Sequence, residues 1–446
     1  MSESAHKQTI YAFSTAAGRA AIAVLRVSGP GAGEAIRHLT GGAPPKPRMA
    51  ALRRIFHRGE RIDNALVLWF PGPKSETGED MAEFHLHGGR AIATAALEAL
   101  AELSALRPAG PGEFTRQAFE NGRLDLTQAE AIADLVEAET TAQRRQALRQ
   151  MDGELAGLYE GWRERLLASL AHLEALIDFP EEDLPDRIRD ELGRDIKWLQ
   201  KDIIQNLAQN RGERVREGFA IAILGAPNAG KSSLLNLLAR REAAIVSTRA
   251  GTTRDIVEVH LAMAGYPIIL ADTAGLRPTS DEIEAEGVRR AIARAKSADL
   301  NLVLFDGTRW PALDPQSEAL VNEGSMALLS KADLAPDLPS EPRVAGRPAL
   351  AISIRTGVGI EPLLRAIEAL VVERLGPGET PALTRQRHRE ALEECADALG
   401  RAAASTASEL LAEDLRLAAR ALGRITGRVD VEDILDRIFR DFCIGK

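Results

Sequence analysis

The first part of the chain alternates short apolar runs with turn-forming segments. Residues 21–27 and 65–70 are apolar and rich in β-branched or aromatic side chains, and stretches rich in Pro and Gly separate such runs. This pattern predicts strands joined by loops. Residues 91–103 carry apolar positions at helical spacing, which predicts an amphipathic helix. Residues 1–120 are therefore predicted to form a compact α+β domain.

From about residue 121 the pattern becomes helical. Thr127 and Glu130 match a capping box at a helix start, and sequence rich in Ala and Leu continues with few breaks towards residue 210. A second helical stretch follows a Pro/Gly-rich segment and covers residues 384–440. The polar segment 211–218 ends in Gly and is predicted to be a linker.

Between the two helical stretches, predicted strands alternate with helices from residue 219 to about 373. This alternation is typical of a parallel α/β sheet. Because an inserted domain needs chain ends that lie close together, we predict an α/β domain (218–375) inserted into a discontinuous helical domain. The helical domain is assigned to residues 121–217 plus 376–446.

Composition narrows the class of protein. The chain has 446 residues, a length that suggests about three domains. Its two cysteines cannot form a disulfide framework or a Cys-rich zinc site. Because no apolar run approaches the ~20 residues that span a bilayer and the N-terminus has no secretory pattern, we expect a cytoplasmic protein without membrane contact. The net charge of −9 gives no general attraction to nucleic acid, so any RNA contact needs a local patch or a partner.

A phosphate-binding motif follows the first predicted strand of the α/β region. Residues 225–232 read G-A-P-N-A-G-K-S, a full match to G-x-x-x-x-G-K-[ST], between an apolar run and a predicted helix. In such a loop the backbone amides and the helix N-terminus hold phosphates. Lys231 is expected to reach the β- and γ-phosphates, and the Ser232 hydroxyl to ligate Mg²⁺. The motif and the residue that follows it are assigned to the nucleotide: Asn228, Ala229, Gly230, Lys231, Ser232 and Ser233.

Two later segments complete a predicted metal and γ-phosphate site. Residues 272–275 read D-T-A-G after an apolar strand, where Asp272 supports the Mg²⁺ shell and the Gly275 amide senses the γ-phosphate. Residues 251–255 read G-T-T-R-D, and a hydroxyl there can complete the coordination of the metal. The nucleotide contacts predicted from these two segments are Gly251, Thr252, Thr253, Asp272, Thr273, Ala274 and Gly275.

A base-reading motif follows the third predicted strand. Residues 330–333 read S-K-A-D, which resembles the guanine-reading motif N-K-x-D with Ser330 in place of Asn. Asp333 can accept hydrogen bonds from guanine N1 and N2, and adenine lacks these donors, so Asp333 carries the selectivity. Lys331 is expected to lie along the base plane. Because serine cannot reproduce the two-sided bonding of an amide, we predict weaker nucleotide binding with guanine preference kept. Ser353, Ile354 and Arg355 are assigned as backbone contacts to the base, and the motifs together predict a GTPase.

The group that orients the attacking water is not evident from spacing. Leu276 stands where Ras-type GTPases carry a glutamine. The carboxylates that follow are Asp281, Glu282, Glu284 and Glu286. Such a run of acidic residues more often forms the solvated start of a helix. The spacing alone does not indicate which of these residues, if any, orients the water.

Several motifs along the whole chain resemble those of one family. They include G-x-P-N-A-G-K-S-S around Asn228, G-T-T-R-D, D-T-A-G-L-R, L-D-L-T-Q-A-E-A-I at residues 124–132 and the C-I-G-K that begins at Cys443. In these features the chain resembles the MnmE (TrmE) family of tRNA uridine-modification GTPases. The resemblance implies a P-loop GTPase domain inserted into an α-helical domain, preceded by an α+β domain that binds folate and dimerises.

The resemblance also implies the reaction and its partners. Members work as homodimers with the FAD- and NADH-dependent flavoprotein MnmG, in a heterotetramer or larger complex. They install a carboxymethylaminomethyl or aminomethyl group at C5 of the tRNA wobble uridine (position 34). Their GTPase domains dimerise across the nucleotide when K⁺ is present, and the cation takes the place of an arginine finger.

The resemblance assigns further roles in the GTPase site. It extends the nucleotide contacts to Ser247, Thr248, Arg249 and Ala250. It implies K⁺ ligation by Asn228, Ser247, Arg249 (through its carbonyl) and Thr252. Thr253 would share Mg²⁺ with Ser232. Glu284 would orient the water that attacks GTP.

The resemblance places a tetrahydrofolate derivative, in the 5-formyl or 5,10-methylene form, on Arg26, Glu83, Arg123 and Lys446. Glu83 can pair with the amide-amidine edge of a pterin, and the arginines can pair with carboxylates or carbonyls of the ligand. Without the resemblance, surface or interdomain ion pairs are the preferred interpretation. Cys443 is a functional thiol by the resemblance, against a packed C-terminal residue or a disfavoured prenylation signal.

Two other classes of function compete with this one. A ribosome-assembly GTPase would use hydrolysis as a timer on RNA, but such proteins usually append a basic domain, whereas this chain is acidic. A membrane remodeller would need a lipid-binding segment, and none is visible. Two basic clusters, 144–149 and 385–389, could contact tRNA phosphates, although solvated helix faces are favoured.

Overall fold

The computed structural model describes residues 8–178, 186–241, 243–245, 258–272, 296–376, 381–405, 407–429, 432–440 and 442–445. The chain divides into two compact units. Unit 1 contains residues 1–133, 150–196 and 397–446. Unit 2 contains residues 134–149 and 197–396. Several unit borders fall inside helices rather than between elements.

Unit 1 contains a six-stranded sheet in the order β3-β4-β5-β2-β1-β6. Its strands are β1 (Thr9–Phe13), β2 (Ala20–Ser28), β3 (Ala51–His57), β4 (Glu60–Phe70), β5 (Met81–Gly88) and β6 (Leu106–Pro108). Only β1 and β6 pair in parallel among these strands. Helices α1 (Ala32–Thr40) and α2 (Arg90–Ala101) pack on the sheet through a core that contains Leu25, Ile36, Phe84 and Leu100. The α+β pattern predicted for this part of the chain is confirmed.

The helical sequence after residue 121 forms a series of helices. After α3 (Glu113–Glu120), which ends just before this region, they are α4 (Leu126–Glu137), α5 (Thr141–Met151), α6 (Glu154–Asp178) and α7 (Asp186–Leu207), with α12 (Gln386–Ala404), α13 (Ser408–Thr426) and α14 (Glu432–Arg440) towards the C-terminus. In unit 1, α6 packs along α13. No helix among the described residues is long and apolar enough to cross a membrane.

The capping box of α4 lies two residues before the predicted one. Asp125 Oδ1 accepts from the Gln128 amide at 3.0 Å, and Gln128 Oε1 accepts from the Asp125 amide at 3.1 Å. This reciprocal pair is a capping box with Asp125 as the N-cap. The prediction of Thr127 and Glu130 was wrong because both residues are already inside the helix and buried.

Unit 2 contains an eight-stranded sheet in the order β13-β14-β12-β11-β7-β10-β9-β8. Its strands are β7 (Phe219–Gly225), β8 (Ala243–Ile245), β9 (Glu258–Met263), β10 (Tyr266–Asp272), β11 (Leu300–Asp306), β12 (Ser325–Ser330), β13 (Arg343–Val344) and β14 (Arg347–Ala351). The five central strands from β14 to β10 are parallel, as predicted, and the outer strands are antiparallel. Helices α9 (Lys231–Arg241) and α11 (Ile360–Leu375) contribute to the core, and α10 (Pro315–Glu318) is a short turn of helix.

The predicted linker 211–218 is a packed helix instead, α8 (Arg211–Glu217). Val215 is buried, and a Cβ placed on Gly212 would lie 2.3 Å from the Leu383 carbonyl oxygen. The charged side chains of α8 made the segment look like a solvated linker in the sequence. In the structure two of them are paired, Glu213 with Arg389 and Arg216 with Asp134. The linker prediction failed because these partners are remote in sequence.

Candidate nucleotide-binding site

The loop between β7 and α9 has backbone angles that its sequence makes possible. Gly225 has φ +139°, and a Cβ there would lie 2.2 Å from the Leu304 carbonyl oxygen. Gly230 has φ +101° and Asn228 has φ +61°, the left-handed region that glycine and asparagine tolerate best. The loop therefore turns sharply from the end of β7 into the N-terminus of α9, and the positive end of a helix dipole favours an anion.

Lys231 is folded back over this loop. Its Nζ donates to the Gly225 carbonyl at 2.8 Å and to the Ala226 carbonyl at 2.9 Å, and the residue is only 8% exposed. An ammonium held against two carbonyls keeps its charge at the loop, where a phosphate would gain from it. The predicted phosphate contacts Asn228 to Ser233 thus lie on one loop and the first turn of α9. These residues fit a nucleotide phosphate and, through the Ser232 hydroxyl, a Mg²⁺ ion.

Asp272 is the last residue of β10, which pairs in parallel with β7 at Ile223. The carboxyl ends of neighbouring parallel strands share one sheet edge, so Asp272 lies at the same edge as the phosphate loop. The remaining predicted contacts of the metal and γ-phosphate site lie outside the described residues: Ser247, Thr248, Arg249, Ala250, Gly251, Thr252, Thr253, Thr273, Ala274, Gly275 and Glu284. Within the described ranges, no group of three or more His, Cys, Asp or Glu side chains could hold a metal ion.

The base-reading segment contacts the phosphate loop through Ser330. This residue ends β12, is 1% exposed, and donates from its hydroxyl to the Ala229 carbonyl at 2.7 Å. Next to it, Lys331 has φ +55° and its Nζ lies 2.5 Å from Asp306 Oδ2. Although burial opposes it, hydrogen bonds from Lys331 and Thr308 lower the pKa of Asp306. Sequence reasoning missed Asp306, and its position at the end of a predicted parallel strand was the available signal.

Asp333 is held by the segment that follows β14. Its Oδ1 accepts from the Ser353 hydroxyl at 2.6 Å, and its Oδ2 accepts from Arg355 Nε at 2.9 Å. The Ser353 hydrogen bond, with help from Arg355, lowers the pKa of Asp333, so the carboxylate is ready to accept. The structure thus brings together four of the five residues predicted to contact the base: Lys331, Asp333, Ser353 and Arg355.

The amide of Ser353 does not have the role expected from sequence. It donates to the Val358 carbonyl at 2.8 Å, so Ser353 acts through its hydroxyl on Asp333 and not through its backbone. Ile354 lies against the phosphate loop, because a Cβ placed on Gly230 would be 3.7 Å from Ile354 Cδ1. The backbone contact to the base remains a prediction for Ile354 and Arg355.

In unit 1, a cavity of about 360 Å³ contains two of the predicted folate residues. Glu83 and Arg123 line it together with Phe70, Met81 and the cation Arg48. Lys74, Ser75 and Glu76 complete the lining, which therefore carries three cations and two carboxylates. The structure thus brings Glu83 and Arg123 to one site.

Arg26 is not among the lining residues of this cavity, but it forms ion pairs with two carboxylates that are, Glu76 and Glu83. Its Nε and NH2 donate to Glu83 Oε1 at 3.1 and 2.9 Å, and its NH1 lies 3.0 Å from Glu76 Oε2. Its guanidinium carbon is 5.8 Å from the ring centre of Phe114. Arg26 and Glu83 are cross-strand neighbours on β2 and β5. Arg26 and Glu83 therefore form an ion pair, but it lies within one sheet and its side chains are only 16% exposed, so it is neither a surface nor an interdomain pair. Their place beside the cavity is unchanged.

The C-terminal predictions have different outcomes. Lys446 lies outside the described residues. Cys443 is exposed, is not among the described residues that line the cavity, and its carbonyl accepts from the Gly112 amide at 3.3 Å. The neighbouring Ile444 pairs with Pro111 in an isolated β-bridge. The packed C-terminal residue considered for Cys443 is therefore not what is observed.

Two arginines of the basic cluster 385–389 form ion pairs within unit 2. Arg385 donates to Asp134 at 2.7 Å, and Arg389 donates to both oxygens of Glu213. Both arginine side chains are 21% exposed. The favoured interpretation, a solvated helix face, was wrong for these two residues.

A phosphate loop between a strand and a helix at the edge of a parallel sheet, followed along the chain by the motif S-K-A-D, is typical of a P-loop GTPase. Two family models match the chain: "GTP-binding protein TrmE N-terminus" over residues 9–123 and "MnmE helical domain" over residues 126–443. The chain belongs to the MnmE family of tRNA modification GTPases, as its motifs led us to expect.

Relatives match along nearly the whole chain. The tRNA modification GTPase MnmE of Paramagnetospirillum magneticum is 56% identical over 444 residues, covering 98% of this chain and 100% of that protein. The tRNA modification GTPase MnmE of Rhodospirillum rubrum is 55% identical over 452 residues, covering 98% and 99%. Among solved structures, the G domain of the T. maritima FeoB iron transporter is 25% identical over 33% of this chain and 95% of that chain, with a TM-score of 0.24.

Proposed function

We propose that this protein hydrolyses GTP in a K⁺-activated cycle that drives modification of the tRNA wobble uridine together with the flavoprotein MnmG. The product would carry a carboxymethylaminomethyl or aminomethyl group at C5 of position 34. The observation that carries the proposal is the convergence in unit 2 of the phosphate loop and the base-reading carboxylate. Ser330 hydrogen-bonds this loop, and Asp333 lies three residues beyond Ser330.

The phosphate end of GTP would be held by the loop and α9. Lys231 would exchange its two carbonyl partners for phosphate oxygens, which are stronger acceptors because they are charged. Ser232 and Thr253 would hold Mg²⁺, which would supply positive charge to offset the negative charge that develops during phosphoryl transfer. The base would sit on Asp333, whose lowered pKa keeps it an acceptor for guanine N1 and N2.

K⁺ would be bound by oxygens of Asn228, Ser247, Arg249 and Thr252 when two GTPase domains meet across the nucleotide. Asn228 supports this role because its left-handed backbone lies at the turn of the phosphate loop, and an amide oxygen is a suitable ligand for a hard cation. Glu284 would orient the attacking water. The bound cation supplies positive charge where an arginine finger acts in other GTPases.

Steady-state GTP hydrolysis in matched KCl and NaCl tests this cycle. We expect a large stimulation by K⁺ in the wild type, and its loss in Glu284→Ala and Asn228→Ala. Glu282→Ala, which removes a neighbouring carboxylate, is the matched control and keeps the stimulation. Equal rates in the two salts, together with an unchanged rate in Glu284→Ala, would refute the catalytic part of the proposal.

We also propose that the N-terminal domain binds a tetrahydrofolate derivative, in the 5-formyl or 5,10-methylene form, at the cavity that Glu83 and Arg123 line. Glu83 would pair with the pterin edge, and Arg26 would remain as its counter-charge. The excess of cations over carboxylates in the lining favours a ligand with a negatively charged tail. Lys446 would complete the site, and the exposed thiol of Cys443, which is not among the described lining residues, would act near it.

Equilibrium binding of 5-formyltetrahydrofolate tests this site. Glu83→Gln keeps the shape of the side chain but replaces one acceptor oxygen with a donor, so we expect affinity to fall about ten-fold or more. Glu60→Gln, an exposed carboxylate at the start of β4, serves as the control. Unchanged affinity in Glu83→Gln would reject the pterin contact.

The architecture proposed for this function is a homodimer formed through the N-terminal domain, residues 1–120. The GTPase domain (218–375) would be inserted into the helical domain (121–217 plus 376–446), and tRNA and MnmG would join the dimer in a heterotetramer or larger complex. Light scattering of the purified protein tests the dimer, and co-purification with MnmG tests the complex. A monomer at micromolar concentration would contradict the first part.

A further inference from the structure

Ser330 has a fixed hydrogen-bond role in unit 2. A serine hydroxyl has one proton to donate, and the Ala229 carbonyl can only accept. The 2.7 Å contact therefore commits the proton of Ser330 to the phosphate loop. Ser330 is 1% exposed, so the contact lies in a buried place. Turning the hydroxyl away would break the hydrogen bond to the Ala229 carbonyl there, which is unfavourable.

The backbone of Ser330 is also confined. A Cβ placed on Gly307 would lie 2.5 Å from the Ser330 carbonyl oxygen, so β12 and the turn after β11 already touch. On the other side, a Cβ placed on Gly230 would lie 3.9 Å from Ser330 Cβ. The end of β12 thus closely approaches Gly307 on one side, which limits how far the Ser330 backbone can shift.

Guanine presents two different edges to a protein. N1 and N2 are donors, and Asp333 is placed to accept from them. O6 and N7 are acceptors and need a donor from the protein. At this end of β12, Ser330 donates to Ala229, and the Lys331 ammonium lies 2.5 Å from Asp306.

We propose that this protein selects guanine through the N1 and N2 donors that Asp333 accepts and gives N7 no side-chain hydrogen bond, because Ser330 is a positioning residue for the phosphate loop. The inference rests on the guanine-nucleotide site of the proposed function. It defines the accepted ligands as guanine nucleotides irrespective of whether position 7 carries an acceptor. Ser330 then contributes to affinity through the loop and not through the base.

The test compares GTP with 7-deaza-GTP, which replaces N7 by a C–H group. Dissociation constants are measured by displacement of a fluorescent guanine nucleotide at constant Mg²⁺. For the wild type we expect the two constants to agree within about two-fold. Ser330→Ala should weaken both nucleotides equally and leave their ratio unchanged, since it removes only the bond to Ala229.

Ser330→Asn introduces an amide with two donor protons, one for the loop and one for N7. We expect this variant to favour GTP over 7-deaza-GTP by about five-fold or more, the value of one hydrogen bond. Ser325→Ala is the matched control, because Ser325 starts the same strand and its hydroxyl likewise donates to a carbonyl, that of Asn322 at 2.8 Å. It should change neither constant.

Two results would overturn the inference. The first is a wild-type preference for GTP of about five-fold or more that disappears in Ser330→Ala, which would mean that the hydroxyl reaches N7. The second is a Ser330→Asn variant that binds GTP without any gain in preference over 7-deaza-GTP, which would mean that the position does not face N7 and that the bond of Ser330 to the loop is not the reason why N7 lacks a donor.

A further variant separates these results from a failure of the proposed function. Asp333→Asn presents a donor to the 2-position of the base, so it should lose GTP and gain xanthosine triphosphate, whose 2-oxo group accepts. If this exchange occurs, the guanine site is correct and the 7-deaza comparison decides the inference alone. If it does not occur, the guanine site itself is refuted, and the inference with it.

Discussion

At the scale of single residues, several charged groups of the site are oriented by partners that sequence patterns do not reveal. Lys331 is directed by Asp306, and Asp333 by Ser353 and Arg355. Each pairing reduces the freedom of a long or polar side chain before a nucleotide binds. Because the side chain is already ordered, nucleotide binding does not include the entropic cost of ordering it.

Removing the partner of Lys331 should therefore weaken nucleotide binding. In Asp306→Asn the charge that holds the ammonium is lost, while one oxygen remains for Thr308. We expect GTP affinity to fall about five-fold, measured by titration, with the preference for GTP over xanthosine triphosphate unchanged because Asp333 is intact. Asp314→Asn, which alters a helix cap, should leave affinity unchanged. A loss of base selectivity in Asp306→Asn would contradict this account.

The two cysteines should differ sharply in reactivity. Burial raises the pKa of the Cys395 thiol to about 12, whereas Cys443 is exposed. Because the thiolate is the reactive form, Cys395 at about pH 8 is on the order of 10⁻⁴ ionised and is also shielded. A thiol titration should find one fast thiol per native chain and two in denaturant. If Cys395 were labelled as fast as Cys443 in the native protein, the thiol of Cys395 would not be buried as described.

At the scale of elements, α8 shows how a polar sequence becomes a packed helix. Its charges meet partners on α4, on α12 and at Asp299 before β11, and its apolar side chain Val215 enters the core of the sheet. Burial of Asp299 raises its pKa, although hydrogen-bonded and charged neighbours oppose the shift. The segment that enters β7 is therefore a structured part of unit 2.

Asp134 is the acceptor shared by Arg216 and Arg385, and it is 14% exposed. Asp134→Ala would leave two largely buried arginines without this partner, so we expect a loss of about 1–3 kcal/mol in the free energy of unfolding. Thermal unfolding should show a melting temperature lower by several degrees. Asp195→Ala removes the partner of Arg165 in an exposed pair, and should cost about 0–1 kcal/mol. Equal melting temperatures for the two variants would exclude this role for Asp134.

At the scale of the whole molecule, unit 1 joins segments from opposite ends of the chain. Gly445 has φ +96°, and a Cβ there would lie 2.1 Å from the Phe13 carbonyl oxygen. The β-bridge between Pro111 and Ile444 lies beside it. Only glycine allows the C-terminal segment this close to the end of β1.

Gly445→Ala should displace this segment and, with it, the predicted folate ligand Lys446. We expect weaker binding of 5-formyltetrahydrofolate with unchanged GTP affinity, both measured by titration. Gly59→Ala is the matched control, since Gly59 also has positive φ (+82°) but nothing within 4 Å of an added Cβ. If both variants bind folate like the wild type, the C-terminal segment has no part in the site.

Features could be predicted from the sequence when the residues that form them lie close together along the chain. The strands β2, β4, β7, β10 and β11 and the loop 225–232 were predicted, because their signals lie within a few consecutive residues. The capping box was misplaced by two residues, since local hydrogen bonding of Asp125 and Gln128 competes with a similar pattern at Thr127 and Glu130. The metal and K⁺ residues that lie outside the described ranges stay predictions.

The sequence by itself determined the phosphate loop, the alternation of strands and helices, and the family. These follow from local backbone preferences, from the period of apolar residues, and from motifs whose members are adjacent. Tertiary structure alone decided that Ser330 bonds Ala229, 101 residues away, and that Arg26 pairs with Glu83, 57 residues away. Such contacts depend on which strands become neighbours and in which register, because one residue of register shift turns a side chain to the opposite face of the sheet.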